Sequence, residues 1–195
     1  MIPDTLIQLD QQATLWINSF HCPFSDRVWM LFSNVRIWFP VYALVVFFLF
    51  RRLGWKKALV VLVSLIVTVV LTDQISNLVK NSVMRLRPCY TDSLLDAGLW
   101  CPMPKGGKYG FFSGHASNVF GFATASSLGF ANKEGGVSKY YVICVFVWAA
   151  LVSLSRVFMA MHFLGDILVG AIFGLAVGLA MGLLARKVCV KCNLL

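Results

Sequence analysis

From Ala58 to Thr72 the chain runs for fifteen residues without a charge, and other apolar stretches follow it. Such runs leave few choices of fold. In a bilayer every backbone N–H and C=O must find its partner inside the protein, so a crossing segment must be regular structure. Of 195 residues, 59% are hydrophobic and only 13% are charged, and mean hydropathy is +0.79. A soluble domain carries about 25% charged residues. The fold class expected is therefore all-α: an integral membrane helical bundle forming one domain over residues 1–195.

In residues 4–20, Leu6, Leu9, Ala13, Trp16, Ile17 and Phe20 follow helical spacing, with polar residues between them. This predicts an amphipathic helix lying in the membrane interface. Pro23 then breaks the chain. Nothing basic precedes this first apolar part, so no signal peptide is expected. Since a crossing takes about 20 residues, five spans are predicted: 28–50, 58–79, 113–130, 140–161 and 163–185. The first carries Asn34 and Arg36 in its outer half and a Pro at position 40. Residues 81–112 form a long polar loop. In the last span Gly170, Gly174, Gly178 and Gly182 fall on every fourth residue. Such a stripe lets a second helix approach closely. The partner is expected within the chain, with a dimer seam as the alternative. The tryptophans are expected as an interfacial belt.

The formal net charge of +9 does not point to nucleic acid, because its placement follows the spans. Arg51, Arg52, Lys56, Lys57, Lys133, Lys139, Arg186, Lys187 and Lys191 share one side with a single acid, Glu134. By the positive-inside rule that side faces the cytoplasm. The alternation of five spans then delivers Lys80, Arg85, Arg87, Lys105, Lys108, Ser113, His115, Arg156, His162 and Asp166 to the opposite face.

An ionisable residue at membrane depth is costly and marks a functional site. His162 and Asp166 are four apart, which on a helix puts them on one face. The carboxylate can hold one ring nitrogen and leave the other as a nucleophile or base. Lys80, Arg87 and Arg156 gather without matching acids, and such a cluster suits an anion. Ser113-Gly114 at a helix start adds backbone N–H groups and a positive dipole end. Arginine forks onto phosphate oxygens and lysine acts as a point charge. The pattern reads as a phosphate cradle holding two imidazoles, His115 and His162. Arg85, Lys105 and Lys108 stand outside it, as secondary substrate contacts or as ordinary interfacial cations. Asp73 and Asn77, on one face with Lys80, either pack helices or steady that lysine.

The stretches Lys80–Pro88, Phe112–His115 and Ser155–Asp166 resemble the signature of the type 2 phosphatidic acid phosphatase (PAP2) superfamily: K-x6-RP, PSGH and SR-x5-H-x3-D. The first and third match at every fixed position, and Phe112 stands where the second has Pro. The resemblance implies a metal-independent phosphatase that needs no cofactor and works through a phosphohistidine. It makes His162 the nucleophile, Asp166 its orienting carboxylate and His115 the general acid. Lys80, Arg87, Arg156, Ser113 and the Gly114 amide would hold the phosphoryl oxygens. Similar small bacterial members act on lipid phosphates, which implies a substrate in the periplasmic leaflet of the inner membrane. Undecaprenyl pyrophosphate is the leading expectation. The 1- or 4'-phosphate of lipid A comes next, then phosphatidylglycerol phosphate or phosphatidic acid. A non-hydrolytic phospholipid-binding or transport protein is the rival class, and it would be expected to lack one imidazole or Asp166. Cys89 and Cys101 bracket the external loop as a candidate disulfide. The lone Cys189-x-x-Cys192 is not expected to hold a metal.

Overall fold

The computed structural model describes residues 3–102, 106–131 and 136–193. Their regular structure is helical, apart from an isolated bridge between Leu86 and Tyr109. In chain order the helices are α1 (Asp4–Asn18), α2 (Pro23–Ser33), α3 (Phe39–Leu53), α4 (Trp55–Val83), α5 (Asp92–Asp96), α6 (Gly114–Gly129), α7 (Lys139–Phe158) and α8 (Leu164–Lys191). Short 3-10 turns precede α3 and α5.

Three helices, α4, α7 and α8, are long and apolar enough to cross a membrane. A fourth crossing arises if α2 and residues 35–53 count as one broken span, bent by 64°. The expected continuous span over 28–50 is therefore interrupted. The break falls at Asn34, whose backbone is extended and whose side chain accepts from Arg36 N at 3.1 Å to start the 3-10 turn. The third expected span, 113–130, is α6, which has only 16 residues, about 24 Å of rise. That is short of a full crossing, and the helix is enclosed by α4, α7 and α8. Five spans were expected; length and apolarity support three, or four with the broken pair.

α6 and α8 form the most extensive helix pair, and small residues explain it. A Cβ on Gly170 would lie 2.6 Å from the Ser113 carbonyl oxygen. On Gly174 or Gly178 it would collide with the backbone at Ser117 or Gly121. The glycine stripe thus serves packing within the chain. Polar links reinforce it, as in other membrane bundles: Ser64 Oγ donates to Met181 O at 3.0 Å, and Thr72 Oγ1 donates to Asn118 Oδ1 at 2.6 Å. On the other side of α6 the core is Leu49, Val61, Leu65, Val119, Phe122 and Val152. Trp38 and Trp148 pack edge-to-face there, 5.6 Å apart, so these two belong to the core and not to a belt. Trp16, Trp55 and Trp100 are the exposed ones.

Lys57 Nζ donates to Ala131 O at 3.3 Å. The α3–α4 turn and the end of α6 therefore share one end of the bundle. At the other end lie the C-terminus of α4 and the start of α6, with the α7–α8 turn beside them. The described residues of 81–112 fold over this end and are not an open loop. Cys89, Leu94, Leu99, Ala160 and Phe163 form a small cluster, with Cys101 packed against it.

α1 forms where the spacing predicts a helix, but its polar side faces the protein. Thr14 and Asn18 are fully buried, whereas Leu6, Leu9 and Trp16 are exposed.

Adding a methyl at Gly174 forces α6 and α8 apart at a backbone contact. Overpacking of this sort costs about 1–3 kcal/mol. Gly174→Ala is expected to lower the unfolding midpoint in detergent, while truncating the outward-facing Ile172 to alanine has little effect. The check is thermal unfolding of both purified variants.

Candidate active site

The α7–α8 turn carries the imidazole expected to react. Met161 N and His162 N both donate to Arg156 O, at 2.9 and 3.2 Å, and Ala160 takes a positive φ of 53° to close the turn. His162 therefore precedes α8 and does not share a helical face with Asp166, as the spacing suggested. Asp166, in the first turn of α8, reaches back instead. Its Oδ2 accepts from Phe163 N at 3.0 Å and lies 3.5 Å from His162 Nδ1. That separation is long for a hydrogen bond, and Nδ1 has no other partner among the described residues. Pairs of this kind are often loose before substrate arrives and tighten afterwards. With Nδ1 facing the carboxylate, Nε2 is the nitrogen left to react. Burial pushes the His162 pKa down to about 4, against the opposing pull of Asp166; Arg156 and Arg87 lower it further.

The second imidazole sits at the start of α6. Ser113 caps this helix, its Oγ accepting from Ala116 N at 3.4 Å, and Ser113 N donates to Asp166 O at 3.0 Å. The α6 start is thus tied to α8. Phe112 is buried and lies 5.0 Å from the Phe173 ring, so an apolar packing contact occupies the position where the resembled motif has Pro. A Cβ on Gly114 would lie 2.9 Å from Ser76 Oγ and 3.1 Å from Lys80 Nζ. Only glycine lets the ammonium come this close to the first turn of α6.

Each cation is held by neutral groups. Lys80 donates to Asn77 Oδ1 at 3.4 Å and to Ser76 Oγ at 3.5 Å, and Asn77 Nδ2 donates to Asp73 Oδ2 at 3.2 Å. Asp73 and Asn77 therefore form a chain leading to Lys80. Arg87 Nε donates to Tyr109 O at 3.1 Å, where residues 85–87 run beside 108–110. Arg156 is buried in the last turn of α7 and donates to Ser33 Oγ of α2. Among the described residues, none of Lys80, Arg87 and Arg156 has a carboxylate within ion-pair distance.

One cavity of about 780 Å³ is lined by all three cations together with Gly114, His115 and His162. Segments up to 82 residues apart in sequence thus converge as expected. Of the secondary candidates, Arg85 and Lys108 do not join them. Arg85 is engaged by two carboxylates, Asp10 and Asp166, at 2.7 Å each. The Lys108 side chain is exposed, and only its carbonyl is used, accepting from Arg87 N. Lys105 lies outside the described residues. Sequence reasoning missed Asp10, Ser33 and Gly110, where a Cβ would lie 3.2 Å from Asp166 Oδ2 and 3.5 Å from His162 Nδ1. Of these Asp10 left a trace, as part of the polar stripe on α1. From the cradle the cavity continues between α3 and α4 along Trp38, Phe39, Tyr42, Leu62, Ile66 and Val69. One cavity therefore joins a cluster of three cations to an apolar channel.

Residues 57–188 match the model of the PAP2 superfamily. The chain is 32% identical over 171 residues to a lipid A 4'-phosphatase of Bacteroides thetaiotaomicron, covering 87% of this chain and 73% of that protein. It is 30% identical over 174 residues to the lipid A 4'-phosphatase of Porphyromonas gingivalis, covering 89% and 71%. In fold it is similar to a transmembrane PAP2-type phosphatidylglycerolphosphate phosphatase from Bacillus subtilis, with a TM-score of 0.67 at 20% identity over 97% of this chain and 89% of that one.

Between pH 6.5 and about 4 the unfolded chain binds a proton at His162 that the folded chain refuses. Stability at this residue is full above that window and is lost as the pH falls through it. The unfolding midpoint in detergent is expected to drop across the window. In His162→Gln the drop should be shallower, as read by melting curves at closely spaced pH values.

Proposed function

This chain belongs to the PAP2 superfamily, and on that premise we propose that it is a lipid A phosphatase, acting on the 4'-phosphate, at the outer face of the bacterial inner membrane. The observation that carries the phosphatase reading is the group of three cations with no ion-paired carboxylate among the described residues, around two imidazoles, at the head of an apolar channel. Such a site suits a phosphate attached to an acyl-bearing molecule. The choice of lipid leans on the two relatives named as lipid A 4'-phosphatases. Undecaprenyl pyrophosphate, favoured from the sequence, has no such support and gives way to lipid A. The outward orientation leans on charge: Arg51, Arg52, Lys56 and Lys57 mark the end of the bundle opposite the site, and basic ends stay in the cytoplasm.

The chemistry follows from the placement of the groups. Phosphoryl transfer asks for in-line positioning and for stabilisation of charge on the equatorial oxygens. Lys80, Arg87, Arg156 and the N–H groups at the start of α6 supply the second. His162 Nε2, neutral at physiological pH, attacks phosphorus. The N–P bond forms as the bond from phosphorus to the lipid oxygen breaks, and His115 gives its proton to the departing oxygen. His115 then takes a proton from water as the water oxygen attacks phosphorus. The N–P bond breaks, inorganic phosphate leaves, and both imidazoles return to their starting states. Asp166 keeps the His162 ring in the orientation that exposes Nε2. The charge stabilisation comes from side chains, so no divalent ion is needed.

Purified protein in detergent is expected to release phosphate from lipid A at the 4'-position faster than from undecaprenyl pyrophosphate, phosphatidylglycerol phosphate or phosphatidic acid. EDTA should leave the rate intact, and vanadate, a mimic of five-coordinate phosphorus, should inhibit. His162→Ala and His115→Ala are each expected to abolish turnover. Near-normal release from His162→Ala, or an absolute need for a divalent ion, would overturn the scheme. A faster rate on another lipid of the panel would reassign the substrate.

A further inference from the structure

The polar stripe of α1 has no part in the chemistry above, yet it touches the centre of it. Asp10, Thr14 and Asn18 are spaced by four and so share one face. Asp10 Oδ1 accepts from Gly165 N at 2.7 Å, and Thr14 Oγ1 accepts from Leu164 N at 3.0 Å. The first N–H groups of a helix have no partner within it, and here α1 satisfies two of those of α8. Asn18 fastens the other end of the stripe, donating to Trp100 O at 2.9 Å and to Phe158 O at 3.0 Å. A Cβ on Gly165 would lie 2.8 Å from Asp10 Oδ2, so the close approach needs glycine there.

The second oxygen of Asp10 meets Arg85. Arg85 Nη2 donates to Asp10 Oδ2 and Nη1 donates to Asp166 Oδ1, both at 2.7 Å. The guanidinium lies over the Phe163 ring, 4.1 Å from its centroid. An arginine facing a single carboxylate prefers a fork of two parallel bonds. A fork on Asp166 would occupy both of its oxygens, and Oδ2 is the one that faces His162 Nδ1. By taking Nη2, Asp10 confines Arg85 to Oδ1.

We propose that Asp10 is a positioning residue for phosphoryl transfer, holding Arg85 off Asp166 Oδ2 so that this oxygen stays with His162. The proposal rests on His162 being the nucleophile. It goes beyond the superfamily match, which covers residues 57–188 and leaves α1 outside.

The chain has three histidines, so protein labelled with ¹⁵N-histidine in detergent gives few ring signals, and His162→Gln assigns those of His162. In the wild-type protein His162 is expected as the Nδ1–H tautomer. In Asp10→Ala its ring nitrogens should move toward a mixture of tautomers. The kcat should fall about 10- to 100-fold, as for a misplaced reacting group, with KM within about threefold because substrate contacts are untouched. Arg85→Met removes the competitor. Adding Asp10→Ala to it should shift neither the ring signals nor kcat by more than about twofold, since the two residues act through one contact. Unmoved ring signals in Asp10→Ala would overturn the proposal. So would independent, additive effects of the two substitutions, the result expected if α1 only caps α8. If Asp10→Ala does not fold, Asp10→Asn decides. It keeps an oxygen for Gly165 N–H but gives up the charge that holds Arg85, so the same ring shift is expected and its absence counts against the proposal. The ring signals need no substrate. A wild-type chain inactive on every lipid would therefore refute the phosphatase reading and leave the role of Asp10 measurable.

Discussion

A carboxylate with no exposed surface needs a partner for every lone pair, and Asp166 has none exposed. Leaving such a group unpaired costs far more than any one contact returns. The way Asp166 is satisfied organises this end of the bundle. One oxygen takes the Phe163 amide and faces His162, while the other takes Arg85. Its backbone carbonyl accepts from Ser113 N at the start of α6. Three segments, around Arg85, Ser113 and the α7–α8 turn, are therefore indexed to one residue. The glycine stripe of α8 makes this possible, because α6 can reach Asp166 only by lying directly against α8.

The cradle obeys the opposite rule. Lys80, Arg87 and Arg156 are held by an amide, hydroxyls, a carbonyl and a thioether, never by a carboxylate among the described residues. Three cations brought together in this way repel one another, and burial adds to the cost. In the proposed reaction an arriving phosphate would supply the missing negative charge. The neutral His162 belongs to the same balance. A charged His162 beside the three would be unfavourable, and a neutral ring is also the form that can attack phosphorus, while the proton His115 gives up in the proposed reaction is held against the charge of the bound phosphate.

Much of this was legible in the chain and some was not, for physical reasons. Charges placed inside apolar runs have few structural explanations, so Lys80, Arg87, His115, Arg156, His162 and Asp166 stood out, and the structure brings them to one end. The span count was less legible. Apolar length cannot distinguish a helix facing lipid from one enclosed by its neighbours, and α6, rich in Gly, Ala and Ser, is the enclosed kind. The break at Asn34 depended on a side chain bonding two residues ahead, which competes with the helix locally but leaves no mark in hydropathy. The relation of His162 to Asp166 also went astray. A spacing of four fits one helical face, but it equally fits a residue before a helix and an acid in that helix's first turn reaching back.

α1 shows why a periodic pattern gives a face but not what that face meets. Its apolar residues mark one side and its polar residues the other. In an interfacial helix the polar side would be expected to meet water. Here the polar side meets the bare N–H groups of α8 and the free nitrogen of Arg85, which are as polar as water and far better ordered. The apolar side is then turned outward, where lipid is the natural solvent. For a protein in a bilayer the inside-out pattern follows from a simple comparison. Unsatisfied donors at a helix start are costly beside hydrocarbon, while exposed leucines there cost nothing. A helix carrying Asp10, Thr14 and Asn18 on one face is therefore held more firmly by the catalytic end of the bundle than by the water above it.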